Sequence, residues 1–248
     1  MTHPYFGAPG GTAALAHRGF SPAGLENSMA AFQAAVDLGY RYVETDAHGT
    51  ADGRAVLMHD ASLDRTTDRA GRIAELPWAE VRRARVGGVE PVPVLEDVLG
   101  TWPDVRVNVD VKERSGVEPV AAAIERTAAH DRVCVASFSA ARRDATVARL
   151  SRPVATSAAT AEAVTFLLTG RVAARGFDAY QVPWRFRGRR VLTGRHVRAA
   201  HRAGRPVHVW TVNDPDDMRA LLDVGVDGII SDRADVLRDV LVERGLWA

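Results

Sequence analysis

Apolar, β-rich runs alternate with amphipathic helical patterns from one end of this chain to the other, and that rhythm restricts the fold more than any other feature. Strands are expected near Ala13–His17, Arg41–Asp46, Val105–Val111, Arg132–Ala136, Val154–Ser157, Ala179–Val182, Pro206–Thr211 and Gly225–Ser231. Helices are expected over Ser28–Leu38, Leu95–Trp102, Val117–His130, Ala140–Leu150, Ala161–Arg171, Thr193–Ala203, Pro215–Asp223 and Arg233–Glu243. Eight of each in 248 residues fits an α/β fold of the closed (β/α)8 TIM-barrel type better than a doubly wound open sheet. Asn213-Asp214-Pro215 reads as a helix start, with a capping side chain ahead of a proline in the first turn. Gly39 and Gly204 suit helix ends that need a left-handed residue. The rhythm breaks once. Ala51-Asp52-Gly53 looks like a hairpin turn, which would carry Ala55–Met58 on from the second strand, and residues 60–94 read as an insertion at the barrel mouth. No linker, low-complexity run or repeat divides the chain, so 1–248 reads as a single domain, with residues 1–12 as an N-terminal tail.

Charge excludes some partners. Lys and Arg total 32 against 31 Asp and Glu, a net charge of +1. That balance argues against nucleic acid or an anionic membrane as a bulk electrostatic partner, whereas a pocket for one phosphate would leave no mark on it. Cys134 is the single cysteine, so an intramolecular disulfide and a cysteine-based zinc site are excluded, and it reads as a small buried side chain. Met1–Gly7 lacks the basic region and apolar core of a secretory signal, and no apolar run reaches membrane-spanning length. The expectation is a cytoplasmic protein without an integral membrane segment.

His17-Arg18-Gly19 follows the apolar run Ala13–Ala16, and His59-Asp60 follows Val56–Met58. In an α/β barrel, chemistry collects where strands hand over to loops at the C-terminal face. Strand alternation puts Tyr42, Glu44, Asp46 and His48 on one face, and sets Arg106, Asn108, Asp110 and Lys112 against a row of valines. A polar row pointing into a barrel is expensive unless its members pair or bind something. Glu44, Asp46 and Asp110 would form a hard, oxygen-rich site for Mg2+ or Ca2+; the alternative is a set of ion pairs with Arg18, Arg106 and Lys112. His17 and His59 are candidates for general base and general acid. Arg18 and Lys112 are the natural phosphate partners. Together these groups point to phosphodiester hydrolysis.

The chain also resembles a family. His17-Arg18-Gly19, Glu26-Asn27-Ser28, Glu44-Thr45-Asp46, Asp52-Gly53, His59-Asp60 and Leu63-Asp64-Arg65-Thr66-Thr67 look like the motifs of the glycerophosphodiester phosphodiesterases. Val92–Leu99, Asn108–Lys112, Trp210–Asn213 and Gly225–Asp232 extend the resemblance in family order over nearly the whole chain. The resemblance implies a barrel enzyme with one divalent cation that hydrolyses deacylated phospholipids, such as glycerophosphocholine or glycerophosphoethanolamine, to glycerol 3-phosphate and an alcohol. It makes His17 and His59 the acid–base pair and Glu44 and Asp46 metal ligands. Asp110 stands where the family usually has a glutamate, one methylene longer, and Ser28 where threonine is commoner. Glu26 reads as a site carboxylate or a substrate contact, with simple capping as the alternative, and Asp60 as an orienting or a turn residue. Trp210 would wall the glycerol or the leaving alcohol, with Phe138, Trp184 and Phe186 lining the mouth.

Two other readings compete. One is a phospholipase D-like or lyase barrel that ends at a cyclic phosphate, although no disulfide, leader or exposed apolar helix marks the chain for lipid surfaces. The other is a catalytically silent barrel that binds a phosphodiester; the complete set of histidines, carboxylates and cations counts against it.

Overall fold

The computed structural model describes residues 3–7, 11–173 and 176–247. Its sheet contains the parallel strands β1 (Ala13–His17), β2 (Tyr42–Gly49), β3 (Arg106–Val111), β4 (Val133–Ala136), β5 (Ala155–Thr156), β6 (Tyr180–Pro183), β7 (Val207–Trp210) and β8 (Gly228–Ser231). The covering helices are α1 (Met29–Asp37), α2 (Leu95–Thr101), α3 (Val117–Arg126), α4 (Ala140–Val147), α5 (Thr160–Thr169), α6 (Gly194–Arg202), α7 (Pro215–Val224) and α8 (Ala234–Glu243). Hydrogen bonding runs β5-β4-β3-β2-β1-β8-β7-β6. The remaining seam, β5 to β6, is drawn together by one parallel bridge, Ser157 to Ala179. The expected α/β barrel is what the chain forms.

Valines on one side of the strands pack under the helices: Val43, Val107, Val109, Val135 and Val209 all lie in the main core. The opposite, inward faces carry the polar row. At the N-terminal end of the barrel, Tyr5 closes the floor from the short 3-10 turn Pro4–Phe6, packed on Cys134 and Ala155. Its carbonyl accepts from the Tyr42 hydroxyl at 2.9 Å. Part of the stretch read as a tail is therefore barrel floor, while residues 1, 2 and 8–10 lie outside the described residues.

Local signals work where expected. Ser28 Oγ caps α1 by accepting from the Ala31 N–H at 3.1 Å. Asp214 accepts from the Asp216 and Asp217 N–H groups ahead of α7, with Pro215 in its first turn. Ala55–Leu57 pairs antiparallel with β2, as the Ala51-Asp52-Gly53 turn implies. Residues 60–94 are more ordered than a loop: Met58, Leu63, Ile73, Val81, Val86 and Val92 form a small separate core beside the barrel.

Three features depart from expectation. β5 is a two-residue strand, because the chain leaves it to close the seam. A hairpin, Arg185–Phe186 with Arg189–Arg190, follows β6; it turns on Arg187 and Gly188, whose positive φ values of 49° and 76° suit a two-residue hairpin loop. Finally, α5 buries Ala163 and Phe166 but exposes Val164 and Leu168, so the chain does carry an exposed apolar helix face.

Candidate active site

Strand register assembles the charged cluster. His17 pairs with Glu44 across β1 and β2; Glu44 pairs with Asn108, and Asp46 with Asp110, across β2 and β3. Side chains on the inner face thus meet at the C-terminal end of three adjacent strands, and all three carboxylates are buried. Arg18 Nε lies 3.0 Å from Asp46 Oδ2. Lys112 Nζ sits between Asp46 Oδ1 at 3.1 Å and Asp110 Oδ2 at 3.2 Å. Burial alone would raise the Asp46 pKa, but Lys112 and Arg18 hold it below the usual carboxylate range. Glu44 fares differently: burial, reinforced by the Asp46 charge, pushes its carboxyl well above that range. Burial likewise raises Asp110.

The turn after β1 needs its glycine. Arg18 and Gly19 have φ values of 55° and 80°. A Cβ on Gly19 would stand 2.6 Å from the Ala31 carbonyl carbon, so the turn can lie against α1 only without a side chain. In that position the Arg18 N–H donates to Glu44 Oε2 at 3.2 Å and its guanidinium reaches Glu26 at 3.1 Å. Asn27 is the residue that sequence reasoning passed over. Its amide donates to Asp46 Oδ2 at 3.1 Å and its carbonyl accepts from the Thr45 hydroxyl at 2.7 Å.

Each histidine is backed by its own carboxylate. His17 Nδ1 lies 2.5 Å from Asp232 Oδ1, and Asp232 is held in turn by the Asn213 amide at 2.7 Å. Burial works against charge on His17, but Glu44 and the Asp232 hydrogen bond outweigh it and raise the imidazole above its ordinary pKa. His59 Nδ1 lies 2.7 Å from Asp60 Oδ1. Arg65 bridges Asp60 and Glu26, which pins the insertion to the turn after β1 and lowers the Asp60 pKa to about 2. Asp232 and Arg65 sit in quoted motifs, yet nothing local in the sequence announces these contacts.

His17, His59, Arg18, Lys112 and the three carboxylates line one cavity of about 790 Å3. Trp210 and Phe138 also line it, ring edge against ring face at 5.7 Å, and Phe186 stands at its rim. Trp184 does not reach it: the ring is buried in the main core with Arg190 stacked over it. Glu26 holds Arg18 and Arg65 rather than capping α1.

Among the described residues, no three histidine, cysteine or acidic side chains are gathered closely enough to enclose an ion as they stand. The donor chemistry nevertheless fits a hard divalent cation. Glu44 has too little counter-charge, and Asp110 Oδ1 is buried without a partner.

Two carboxylate-backed histidines beside an arginine and a lysine, at the barrel end where loops gather, are groups suited to an enzyme acting on an anionic ester. The sequence model of the glycerophosphoryl diester phosphodiesterase family matches residues 17–236. A probable glycerophosphodiester phosphodiesterase 2 of Mycobacterium tuberculosis is 46% identical over 247 residues, covering 96% of this chain and 94% of that protein. A putative glycerophosphoryl diester phosphodiesterase from Silicibacter pomeroyi shares the fold, with a TM-score of 0.81 at 22% identity over 98% of this chain and 97% of that one. So does an Oleispira antarctica phosphodiesterase solved with its product sn-glycerol-3-phosphate, with a TM-score of 0.76 at 22% identity over 93% and 96% of the two chains. The chain belongs to the glycerophosphodiester phosphodiesterase family and is a phosphodiester hydrolase. Among the described residues no helix is long and apolar enough to cross a membrane.

Proposed function

We propose that this enzyme hydrolyses glycerophosphodiesters such as glycerophosphocholine and glycerophosphoethanolamine to glycerol 3-phosphate and the free alcohol, with one divalent cation, Mg2+ or Ca2+. The observation that carries this reading is the pairing of each cavity histidine with a carboxylate, His17 with Asp232 and His59 with Asp60, around a cluster of cations and acids.

With Nδ1 donated to its carboxylate, each imidazole offers Nε2 to the substrate. One histidine takes the proton of the attacking oxygen while the other gives a proton to the departing alcohol oxygen. Arg18 binds the phosphate through its planar donors, and Lys112 adds a mobile point charge. Asp232 and the Asp60–Arg65 pair orient the two rings. A divalent ion held by Glu44, Asp46 and Asp110 would supply further positive charge against the phosphate oxygens in the transition state.

Release of glycerol 3-phosphate from glycerophosphocholine tests the reading. Chelated enzyme should be inactive and regain turnover with Mg2+ or Ca2+, and Asp110→Ala should not. Turnover that ignores chelation, or an accumulating cyclic phosphate seen by phosphorus NMR, would contradict it.

A further inference from the structure

Charge is spread unevenly along this chain. Residues 171–205 hold ten arginines and one acidic residue, Asp178, a surplus of nine positive charges in a chain whose net charge is +1. The whole-chain balance, which argues against an anionic membrane, averages this segment away. The segment runs from the end of α5 through the Arg185–Arg190 hairpin and along α6. Arg171, Arg187, Arg189, Arg195, Arg198 and Arg202 are all exposed, and none makes an ion pair among the described residues. Arg195 even sits in the first turn of α6, where the helix dipole disfavours a cation. Folding does not call for this charge.

The hairpin presents part of it. Its base is held: Arg185 pairs with Asp217 at 2.8 Å, and the Arg190 guanidinium stacks 5.0 Å from the Trp184 ring centroid. Its tip carries Phe186, Arg187 and Arg189, all exposed. The Arg187 guanidinium lies 5.5 Å from the Phe186 ring centroid, so charge and aromatic ring project together. Apolar groups border this charge. Scattered ones on a surface need no explanation. Here, of the seven large apolar side chains exposed among the described residues, Phe138, Val164, Leu168 and Phe186 all line the active-site cavity. Val164 and Leu168 are one turn apart on α5, and they are 47% and 80% exposed. That helix packs on the first turn of α6 through Phe166 and His196, whose ring centroids are 5.4 Å apart. An apolar rim around the mouth is thus flanked by unpaired arginines.

We infer that this face docks on an anionic lipid bilayer: the arginines meet the lipid headgroups, Phe186 and Leu168 enter the headgroup–acyl boundary, and the cavity mouth turns toward the membrane. Arginines beside exposed aromatic and aliphatic side chains match a surface that is anionic outside and apolar just beneath. A nucleic acid would satisfy the arginines but leave Val164 and Leu168 in water. A second copy meeting this face symmetrically would set arginine against arginine. The docking is peripheral, and it is independent of which phosphodiester the enzyme cleaves.

Flotation of the whole enzyme with lipid vesicles tests the inference. Phosphatidylcholine vesicles with about one third phosphatidylglycerol should bind it at least about tenfold more tightly than pure phosphatidylcholine vesicles. Raising salt from about 0.1 M to about 0.5 M should weaken the anionic binding, because exposed charges are then screened. R187Q/R189Q should cost roughly 25-fold in vesicle affinity, about fivefold per arginine, and leave glycerophosphocholine turnover within about twofold. R82Q/R83Q makes the same charge change on the insertion and should alter vesicle binding little. F186S should weaken binding by about tenfold or more, as lost apolar burial requires. No preference for anionic vesicles would overturn the proposal, as would equal losses in R187Q/R189Q and R82Q/R83Q, which would leave only non-specific charge. Binding that F186S leaves unchanged would contradict entry of the apolar rim. Tighter binding of a single-stranded oligonucleotide than of vesicles, lost in R187Q/R189Q, would assign the face to nucleic acid instead.

Discussion

Six consecutive residues pair between β2 and β3, whereas β4 and β5 share two and β5 meets β6 at a single bridge. The long ladder carries Glu44, Asp46 and Asp110; the thinly paired side carries the apolar wall around α5 and the hairpin. The difference follows from what each half must hold. Buried charges keep their mutual stabilisation only in fixed geometry, so they sit on continuous backbone pairing with Asn27, Arg18 and Lys112 tying them together. An apolar wall tolerates movement, since apolar contact is not directional. Fixed charges on long backbone ladders on one side, and an apolar wall on thin pairing on the other, is the division this barrel displays.

Several experiments test that division. The largest effect is expected for His17→Ala and His59→Ala, each lowering kcat on glycerophosphocholine by about 10^2 to 10^4 with little change in melting temperature. Near-normal turnover in either variant would end its catalytic assignment. Next in size is Asp232→Asn, which removes control over the His17 tautomer. It should cost one to three orders of magnitude, roughly, in kcat rather than KM, with partial recovery in Asp232→Glu.

On the other side of the barrel the effects should fall on stability. His208, buried on β7, has its pKa lowered to about 4 by burial, from the usual 6.5. Above the ordinary value both folded and unfolded forms are neutral; below it only the unfolded chain takes the proton until the pH nears 4. Stability should therefore fall by roughly 2 to 3 kcal/mol between pH 7 and 4.5 from this group. Urea titrations at the two pH values should show a smaller fall in His208→Leu; an unchanged fall would remove His208 as its source. The smallest effect belongs to the seam. Asp178 Oδ2 accepts from both the N–H and the hydroxyl of Thr156 at 2.9 Å. Asp178→Ala should cost about 1 to 3 kcal/mol of stability and leave glycerophosphocholine kcat unchanged. A matching loss of kcat would show that the seam and the charged half are not separable.

What the sequence makes legible divides along similar lines. The Arg106–Lys112 alternation exposes the polar row directly, because a period of two on a strand needs no tertiary knowledge. His17, His59 and the carboxylates stand at recognisable strand ends. Asp232 is hidden because its contact with His17 spans 215 residues and exists only once β8 closes beside β1. Arg65 is hidden for a similar reason, since it acts through an insertion whose small core has no strand–helix rhythm. The α5 face is concealed differently: Val164 and Leu168 stand four apart in a helical pattern, a spacing that looks the same whether that flank is buried or open. For the hairpin, the signal was Gly188 at a two-residue turn, masked by the arginines around it.

The most direct test of the central claim is a double-mutant cycle on glycerophosphocholine hydrolysis with H17A, H59A and H17A/H59A. Groups that serve one step as a unit are strongly non-additive. The double variant should be no more than about threefold slower than the slower single variant, with all three folded. Losses that multiply would mean the two histidines act in separate steps, and the paired acid–base site described here would be wrong.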